Sequence, residues 1–152
     1  MGYLEGKLDD KGRAFIDVIV TPSTLYREVI GIDLFKPKKA NLLNIDSKYQ
    51  YKAKAIIDTG ATVSSIDLNV AKMLQLQTKG TTLVGSPMGH NDHDVYDVDL
   101  YLSMGNKLTL LSNKLVITSD IAQQGIHMLL GTDIIKLGKL VFDRGKRFSL
   151  DI

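Results

Sequence analysis

Apolar and polar residues alternate with a period of two along much of the chain, as in residues 14–20 and 95–102. Such alternation is typical of strands that bury one face. A helical period is confined to residues 67–76, where the apolar positions predict a core-facing helix, and a short helical turn is expected after Asp133. The pattern therefore predicts an all-β framework with one or two short helices.

Glycine-bearing polar segments separate the predicted strands. Residues 9–12, Asp-Asp-Lys-Gly, lie between strands predicted at 3–8 and 14–20, and their turn chemistry predicts that these two strands form a hairpin. The same chemistry at 104–107 and 143–146 predicts two further hairpins.

Residues 21–48 interrupt the regular pattern. They contain two prolines and the basic run Lys-Pro-Lys-Lys, and their apolar residues follow no clean period. We interpret them as a loop insertion, with Ser23 as the N-cap of a one-turn helix near 23–28. The chain has 152 residues, which favours a single domain over residues 1–152.

The composition of the chain limits which partners and reaction classes are possible. The net charge is +2 and the basic residues are scattered, which argues against a nucleic-acid partner. Because the chain has no cysteine, a thiolate nucleophile, a disulfide framework and a Cys-ligated zinc site are excluded. The first residues lack an apolar signal segment and no run is apolar enough for a membrane span, so we expect a cytoplasmic protein without a membrane partner.

An apolar strand runs directly into Asp58, Thr59 and Gly60. Such a strand end presents a carboxylate at a turn, where the glycine allows a sharp reversal and the threonine hydroxyl can hydrogen-bond across a packed interface. A lone aspartate catalyses amide hydrolysis poorly, whereas two carboxylates that share one proton supply both a base and an acid. The tripeptide therefore indicates a paired-carboxylate hydrolase, and a turn aspartate that caps its own loop is the alternative.

The Asp58–Gly60 tripeptide, with Ala61 after it, resembles the hallmark of the retropepsin-like aspartic proteases. A second block at 128–135 resembles the apolar-apolar-Gly-x-Asp sequence that follows in this family, and a short helix is expected after it. The resemblance extends over roughly residues 50–152, with residues 3–20 similar to the N-terminal strands, and it is nearest to the bacterial single-domain members. It implies the acid-protease fold, an all-β, closed barrel-like architecture.

The resemblance also implies an aspartic endopeptidase that needs no metal and no cofactor. A chain with one such motif supplies half of a catalytic pair, so the implied enzyme is a homodimer in which Asp58 meets Asp58 of the partner subunit. Asp58, Thr59 and Gly60 would form the catalytic loop, and a flap over residues 81–96 would hold an extended polypeptide substrate. Gly131 is expected beside the catalytic loop, where only a residue without Cβ fits. The implied substrate contacts come from the catalytic loop, the flap and the second block: Ala61, Thr62, Val84, Gly85, Ser86, Gly131 and Ile134.

Two positions depart from the retroviral members. Thr132 stands where they carry an arginine, and Thr62 and Val63 stand where its acidic partner lies, so we expect a weaker dimer unless the terminal hairpin adds interface. Three alternatives stay open: an inactive module that dimerises or binds peptide, a monomeric ligand-binding barrel, and, for His90 and His93, a metal site in place of a solvated loop.

Overall fold

The computed structural model describes the backbone of residues 2–23, 37–39, 42–43, 47–86 and 89–152, with side chains except at 37–39, 42–43, 84–86 and 89–91. The described residues form twelve strands: β1 Tyr3–Lys7, β2 Phe15–Pro22, β3 Pro37–Lys39, β4 Leu42–Leu43, β5 Tyr51–Ile57, β6 Ser65–Asp67, β7 Gly80–Ser86, β8 Gly89–Met104, β9 Lys107–Ser119, β10 Met128–Leu130, β11 Lys139–Asp143 and β12 Arg147–Asp151. They also form two short helices, α1 Leu68–Met73 and α2 Thr132–Ile135, and two 3-10 turns, Ser47–Tyr49 and Ala122–Gln124. The predicted all-β architecture with short helices is confirmed.

Six of these strands close into a barrel. Their order around the ring is β2, β5, β10, β6, β9 and β8, and β8 pairs again with β2. Most neighbours are antiparallel, but β10 runs parallel to β5 and β6 runs parallel to β9. β7 extends the sheet beyond the ring by pairing with the first half of β8. Closure satisfies the backbone hydrogen bonds of the ring and makes it a rigid support for the loops at its ends.

The barrel interior contains the apolar core. On β2, Ile16, Val18 and Val20 face inward and are at most 3% exposed, which follows the predicted period of two. Leu100 and Leu102 on β8 are fully buried in the same cluster. At about 25 cal/mol per Å² of apolar surface, burial on this scale is the main stabilising term for the barrel.

Helix α1 begins at an aspartate cap. The Asp67 side chain accepts a hydrogen bond from the Asn69 backbone N–H at 2.9 Å, which satisfies one of the unpaired N–H groups of the first turn. Val70, Ala71 and Leu74 are buried against the barrel. The predicted core-facing stripe is thus confirmed at its centre, whereas Leu68 at its start is 41% exposed.

A separate three-stranded sheet is formed by the two ends of the chain, in the order β1, β12, β11. β12 lies in the middle and pairs antiparallel with both neighbours over all five of its residues. Gly2 and Ile152 continue the pairing of β1 with β12 through two backbone hydrogen bonds, at 2.5 and 2.9 Å. Phe148 and Leu150 anchor the sheet to the core.

The predicted hairpin between the first two strands is wrong. The turn itself forms, because Gly12 donates to the Asp9 carbonyl at 2.9 Å and Arg13 Nε lies 2.7 Å from Asp9 Oδ2. The flanking strands nevertheless diverge: β1 pairs with β12, and β2 pairs with β5 and β8. The reason is a long-range contact, since Gly6 lies opposite Phe148 and a Cβ at residue 6 would collide with the phenylalanine ring.

The two other predicted hairpins are confirmed. Met104 pairs with Lys107 at the turn between β8 and β9, and Asp143 pairs with Arg147 at the turn between β11 and β12. Within the insertion expected at 21–48, β3 and β4 pair antiparallel. Residues 24–28 of the expected one-turn helix lie outside the described residues, so that helix stays a prediction. None of the helices in the described ranges is long and apolar enough to cross a membrane.

Candidate active site

The Asp58 loop starts where β5 leaves the barrel. The Asp58 backbone N–H donates to the Leu130 carbonyl at 2.9 Å, which extends the parallel pairing of β5 with β10 by one residue. Ala61 then donates to the Asp58 carbonyl at 3.2 Å and closes a tight turn. The loop is therefore fixed to two barrel strands at its first residue.

The carboxyl group of Asp58 is held from within its own loop. Its Oδ1 accepts a hydrogen bond from the Gly60 backbone N–H at 2.9 Å. A Cβ at residue 60 would lie only 3.2 Å from that oxygen, so glycine suits this close approach. Asp58 is half-buried and Thr59 and Gly60 are exposed. Among the described residues no other hydrogen-bond partner of the Asp58 side chain is found, which leaves its second oxygen available to water or to another carboxyl group.

The second predicted block packs directly against this loop. A Cβ at Gly131 would lie 2.8 Å from the Ala61 carbonyl oxygen and 3.0 Å from the carbonyl carbon of Val63. The Thr132 backbone N–H donates to the same Ala61 carbonyl at 2.8 Å. The steric part of the prediction, that only glycine fits at residue 131 beside the Asp58 loop, is confirmed.

A partly buried network that sequence reasoning missed connects the two blocks. Asp133 accepts from the Ser64 hydroxyl at 2.7 Å and from the Ser64 backbone N–H at 3.0 Å. The same hydroxyl oxygen accepts from the Gly131 N–H at 2.9 Å, and Ser64 is fully buried. Together these three hydrogen bonds fix the far end of the Asp58 loop to the Gly131 block. A serine six residues after the motif aspartate, together with the acid of the Gly-x-Asp block, was the available signal.

The remaining predicted substrate contacts occupy different environments. Ala61 and Thr62 lie on the loop, half-buried and exposed respectively. Ile134 is only 2% exposed and belongs to the core, so its side chain has no surface to offer a substrate in this structure. Val84, Gly85 and Ser86 end β7, where Ser86 pairs with Gly89; the expected hairpin is thus present, and its role as a flap stays a prediction.

An open groove of about 500 Å³ lies beside Asp58. It lies between the Asp58 loop and the terminal sheet and is lined by residues of both, including Ile57, Asp58, Thr59, Phe142 and Gly145. A second groove, of about 580 Å³, lies on the outside of β2 and β5 and includes no residue of the Asp58 loop. Of these two grooves, the one next to Asp58 is the one that adjoins the motif carboxyl group.

The histidines do not assemble a metal centre in the described part of the chain. His93 Nδ1 lies 2.6 Å from the Thr118 carbonyl oxygen, and a carbonyl partner requires the proton to be on that nitrogen. No cluster of three or more possible ligands occurs among the described residues. The side chain of His90 lies outside them.

Asp67 and Asp97 are carboxyl groups away from Asp58 whose pKa values are shifted. Burial raises the pKa of Asp67, but hydrogen bonds from the N–H groups of Asn69, Ile121 and Ala122 outweigh it, so the net pKa is lowered. Burial, together with the charge of Asp99, raises the pKa of Asp97 despite the opposing effect of Lys79. One oxygen of Asp97 is buried without a hydrogen-bond partner.

Comparison with known proteins agrees with this geometry. A family model described as aspartyl protease matches residues 43–134, which include both the Asp58 loop and the Gly131 block. No curated protein sequence gives a significant match.

Two solved structures are similar to this fold. A retropepsin-like aspartic protease from Rickettsia conorii is 15% identical with a TM-score of 0.54, and the match covers 98% of this chain and 88% of that one. The retroviral protease-like domain of Ddi1 from Leishmania major is 16% identical with a TM-score of 0.40, over 62% of this chain and 74% of that one. The first similarity shows that the fold is retropepsin-like.

Proposed function

The chain belongs to the aspartyl protease family, and from this premise we propose that it is an endopeptidase whose active site forms when two copies bring their Asp58 side chains together. The observation that carries the proposal is the Asp58 loop itself. It presents one partly exposed carboxylate, fixed to barrel strands and with one oxygen unengaged among the described residues. One such group is half of a catalytic pair.

In the proposed reaction the two Asp58 groups share one proton. The ionised carboxylate takes a proton from a water molecule, whose oxygen attacks the carbonyl carbon of the scissile peptide, while the protonated Asp58 of the partner subunit donates its proton to the carbonyl oxygen. Collapse of the tetrahedral intermediate breaks the C–N bond, and the leaving nitrogen takes a proton from the dyad. No covalent enzyme intermediate forms in this scheme, because the attacking group is water.

The substrate we propose is an extended polypeptide. Such a strand would make main-chain hydrogen bonds to Gly60 and to the β7–β8 hairpin, with side chains against Ala61, Thr62 and the end of β7 at residues 84–86. Gly131 supports the loop from behind in this arrangement. Ile134 is left out of the proposed contacts because its side chain belongs to the core.

The test is the loss of peptidase activity in Asp58→Asn and Asp58→Ala. Both variants remove acid and base from both subunits at once, so cleavage of a denatured protein substrate at mildly acidic pH should fall at least 1,000-fold, while far-UV circular dichroism stays that of the wild type. Asp17→Asn is the matched control, because Asp17 is an exposed carboxylate on the outer side of β2. Specific activity of the wild type should also fall on dilution, since one chain holds half of the dyad.

The outcomes separate the alternatives. Undiminished activity in Asp58→Asn, or full activity of a strict monomer in sedimentation, would exclude the dyad. A wild type that dimerises but cleaves nothing would support the inactive peptide-binding module. Inhibition by a chelator would revive a metal site around His93.

A further inference from the structure

The terminal sheet is closed within one chain. β12 has β1 on one side and β11 on the other, and all five of its residues are paired on both sides. The Gly2 and Ile152 backbone bonds extend the first of these pairings to the chain ends. A second chain therefore cannot place a strand next to β12 without first displacing β1 or β11.

Unlike β12, the outer strand β11 is paired on one side only within the described sheet. It is an edge strand of the described sheet, and Val141 and Phe142 on it are 40% and 46% exposed. An edge strand has a row of unpaired backbone groups that can accept another strand. Phe142 also lines the groove next to Asp58 and Thr59, so this edge adjoins the site that lacks its second carboxylate.

The sequence of β11, Lys-Leu-Val-Phe-Asp, is complementary to itself when it is read in the opposite direction. A two-fold axis through Val141 places Lys139 opposite Asp143 of the partner subunit, and the symmetry repeats this pair. The same register places Leu140 opposite Phe142 of the partner subunit. Opposite charges and apolar pairs facing each other across antiparallel strands are favourable.

The other edge strand, β1, is not complementary to itself in the same antiparallel arrangement. In β1, Tyr-Leu-Glu-Gly-Lys, an axis through the central residue places Glu5 directly opposite Glu5 of the partner subunit. Like charges in that position are destabilising. Lys7 would face Tyr3, whose hydroxyl already donates to Glu5 at 2.6 Å.

We propose that two copies of this chain associate through β11, edge to edge and antiparallel, to form one six-stranded sheet across the two-fold axis. The inference rests on the proposed function, because forming the Asp58 dyad requires a second copy of the chain. Phe142 and Asp58 line one groove, so a single axis can serve both the strand pair and the dyad. The Asp143–Arg144 pair within the turn competes weakly, since it is long at 3.8 Å and its side chains are 67% and 90% exposed.

Cross-linking through single cysteines tests the edge directly, because the natural chain has no cysteine. In Val141→Cys the two thiols would face each other across the axis, within the Cα separations that a disulfide permits in either type of antiparallel pair. Mild oxidation should convert most of this variant to a disulfide-linked dimer at protein concentrations where the wild type is partly dissociated. Glu5→Cys, at the centre of the other edge, is the matched control and should remain largely monomeric on non-reducing gels.

A charge exchange provides a second test. Lys139→Glu and Asp143→Lys each place like charges opposite each other twice per dimer, and each should raise the dimer dissociation constant roughly tenfold in sedimentation equilibrium. The double variant Lys139→Glu with Asp143→Lys restores both pairs and should recover most of the wild-type affinity. A purely structural role for either residue within one chain would give no such recovery.

The outcomes distinguish this inference from the proposed function. Efficient cross-linking of Glu5→Cys without Val141→Cys, or an additive loss in the double charge variant, would overturn pairing through β11. If the wild type is a dimer whose peptidase activity depends on Asp58, but Val141→Cys does not cross-link, the proposed dyad is supported and the inference about β11 is wrong. If Val141→Cys cross-links but neither the linked dimer nor the wild type cleaves a peptide substrate, pairing through β11 is supported and the proposed activity is wrong.

Discussion

Gly131→Ala is the substitution that most directly tests whether the second block positions Asp58. The added Cβ would lie 2.8 Å from the Ala61 carbonyl oxygen and 3.0 Å from the Val63 carbonyl carbon, both of which are backbone atoms of the Asp58 loop. Neither atom can rotate away, so the loop has to shift by several tenths of an ångström. Overpacking of this kind costs about 1–3 kcal/mol.

The consequence for activity should exceed the consequence for stability. A destabilisation of about 1–3 kcal/mol lowers Tm by roughly 3–10 °C in a domain of this size. The shift also strains the Thr132–Ala61 hydrogen bond, through which the loop is attached to the second block. Because small misplacements of a catalytic group can cost about 100-fold in rate, we expect kcat/KM to fall roughly 10- to 100-fold per dimer.

Gly105→Ala is the matched control. Gly105 lies in the β8–β9 turn with φ +64°, and the nearest atom to an added Cβ is the Tyr3 carbonyl oxygen at 3.8 Å. The left-handed backbone costs an alanine about 1–2 kcal/mol, a similar loss of stability without contact with the loop. Thermal unfolding and peptide cleavage would be measured for both variants at a protein concentration above which specific activity no longer rises. If Gly131→Ala loses no more activity per folded molecule than Gly105→Ala, the positioning argument is refuted.

Three further predictions concern other parts of the molecule. Because the pKa of Asp67 is lowered in the folded state, its carboxylate should stabilise the fold above the ordinary carboxyl pKa of about 4, and this stabilisation should be lost as the pH falls below that value. Urea unfolding should therefore show that Asp67→Asn is less stable than the wild type by about 1–3 kcal/mol at neutral pH and by less in acid. The folded pKa of Asp97 is raised, so its ionised form opposes folding at neutral pH, and Asp97→Asn should raise Tm at pH 7 but hardly at pH 3; a lower Tm at pH 7 would contradict this. If residues 81–96 act as a flap, Gly85→Val should reduce peptide turnover more than Tm, and hydrogen exchange should be faster there than in Ile56–Ala61; equal effects on turnover and Tm would argue against a flap.

Features governed by nearby residues were predictable from the sequence. The period of two located β2 and β8, because strand alternation is a local property that burial on one side enforces. The close approach at Gly60 is local to the Asp58 turn, whereas the place of Gly131 beside that turn was predicted from the family resemblance. The hairpins at 104–107 and 143–146 agree with their turn chemistry, because in each case the two flanking strands also pair with each other.

Features governed by distant residues were not predictable in this way. The turn at 9–12 forms, but the partner of β1 is decided by Phe148 at the far end of the chain. Ile134 has the same apolar character as a pocket residue, and only the packing of α2 shows that it is buried. The Ser64–Asp133 network joins residues 69 positions apart, a separation at which no periodic signal exists.

The departures from the retroviral pattern acquire a physical meaning in this structure. Thr132 and Thr62 cannot form an ion pair, yet the loop is braced within its own chain by the Thr132–Ala61 backbone bond and by Asp133 on Ser64. The position of Asp58 is therefore set within one chain, and under the proposed function a second copy needs to supply only the second carboxylate. A weak dimer is then compatible with efficient chemistry, because preorganisation is retained in the monomer. We accordingly expect substitutions at the β11 edge to change the protein concentration for half-maximal activity, and substitutions in the Ser64–Asp133 network to change the turnover of the fully assembled enzyme.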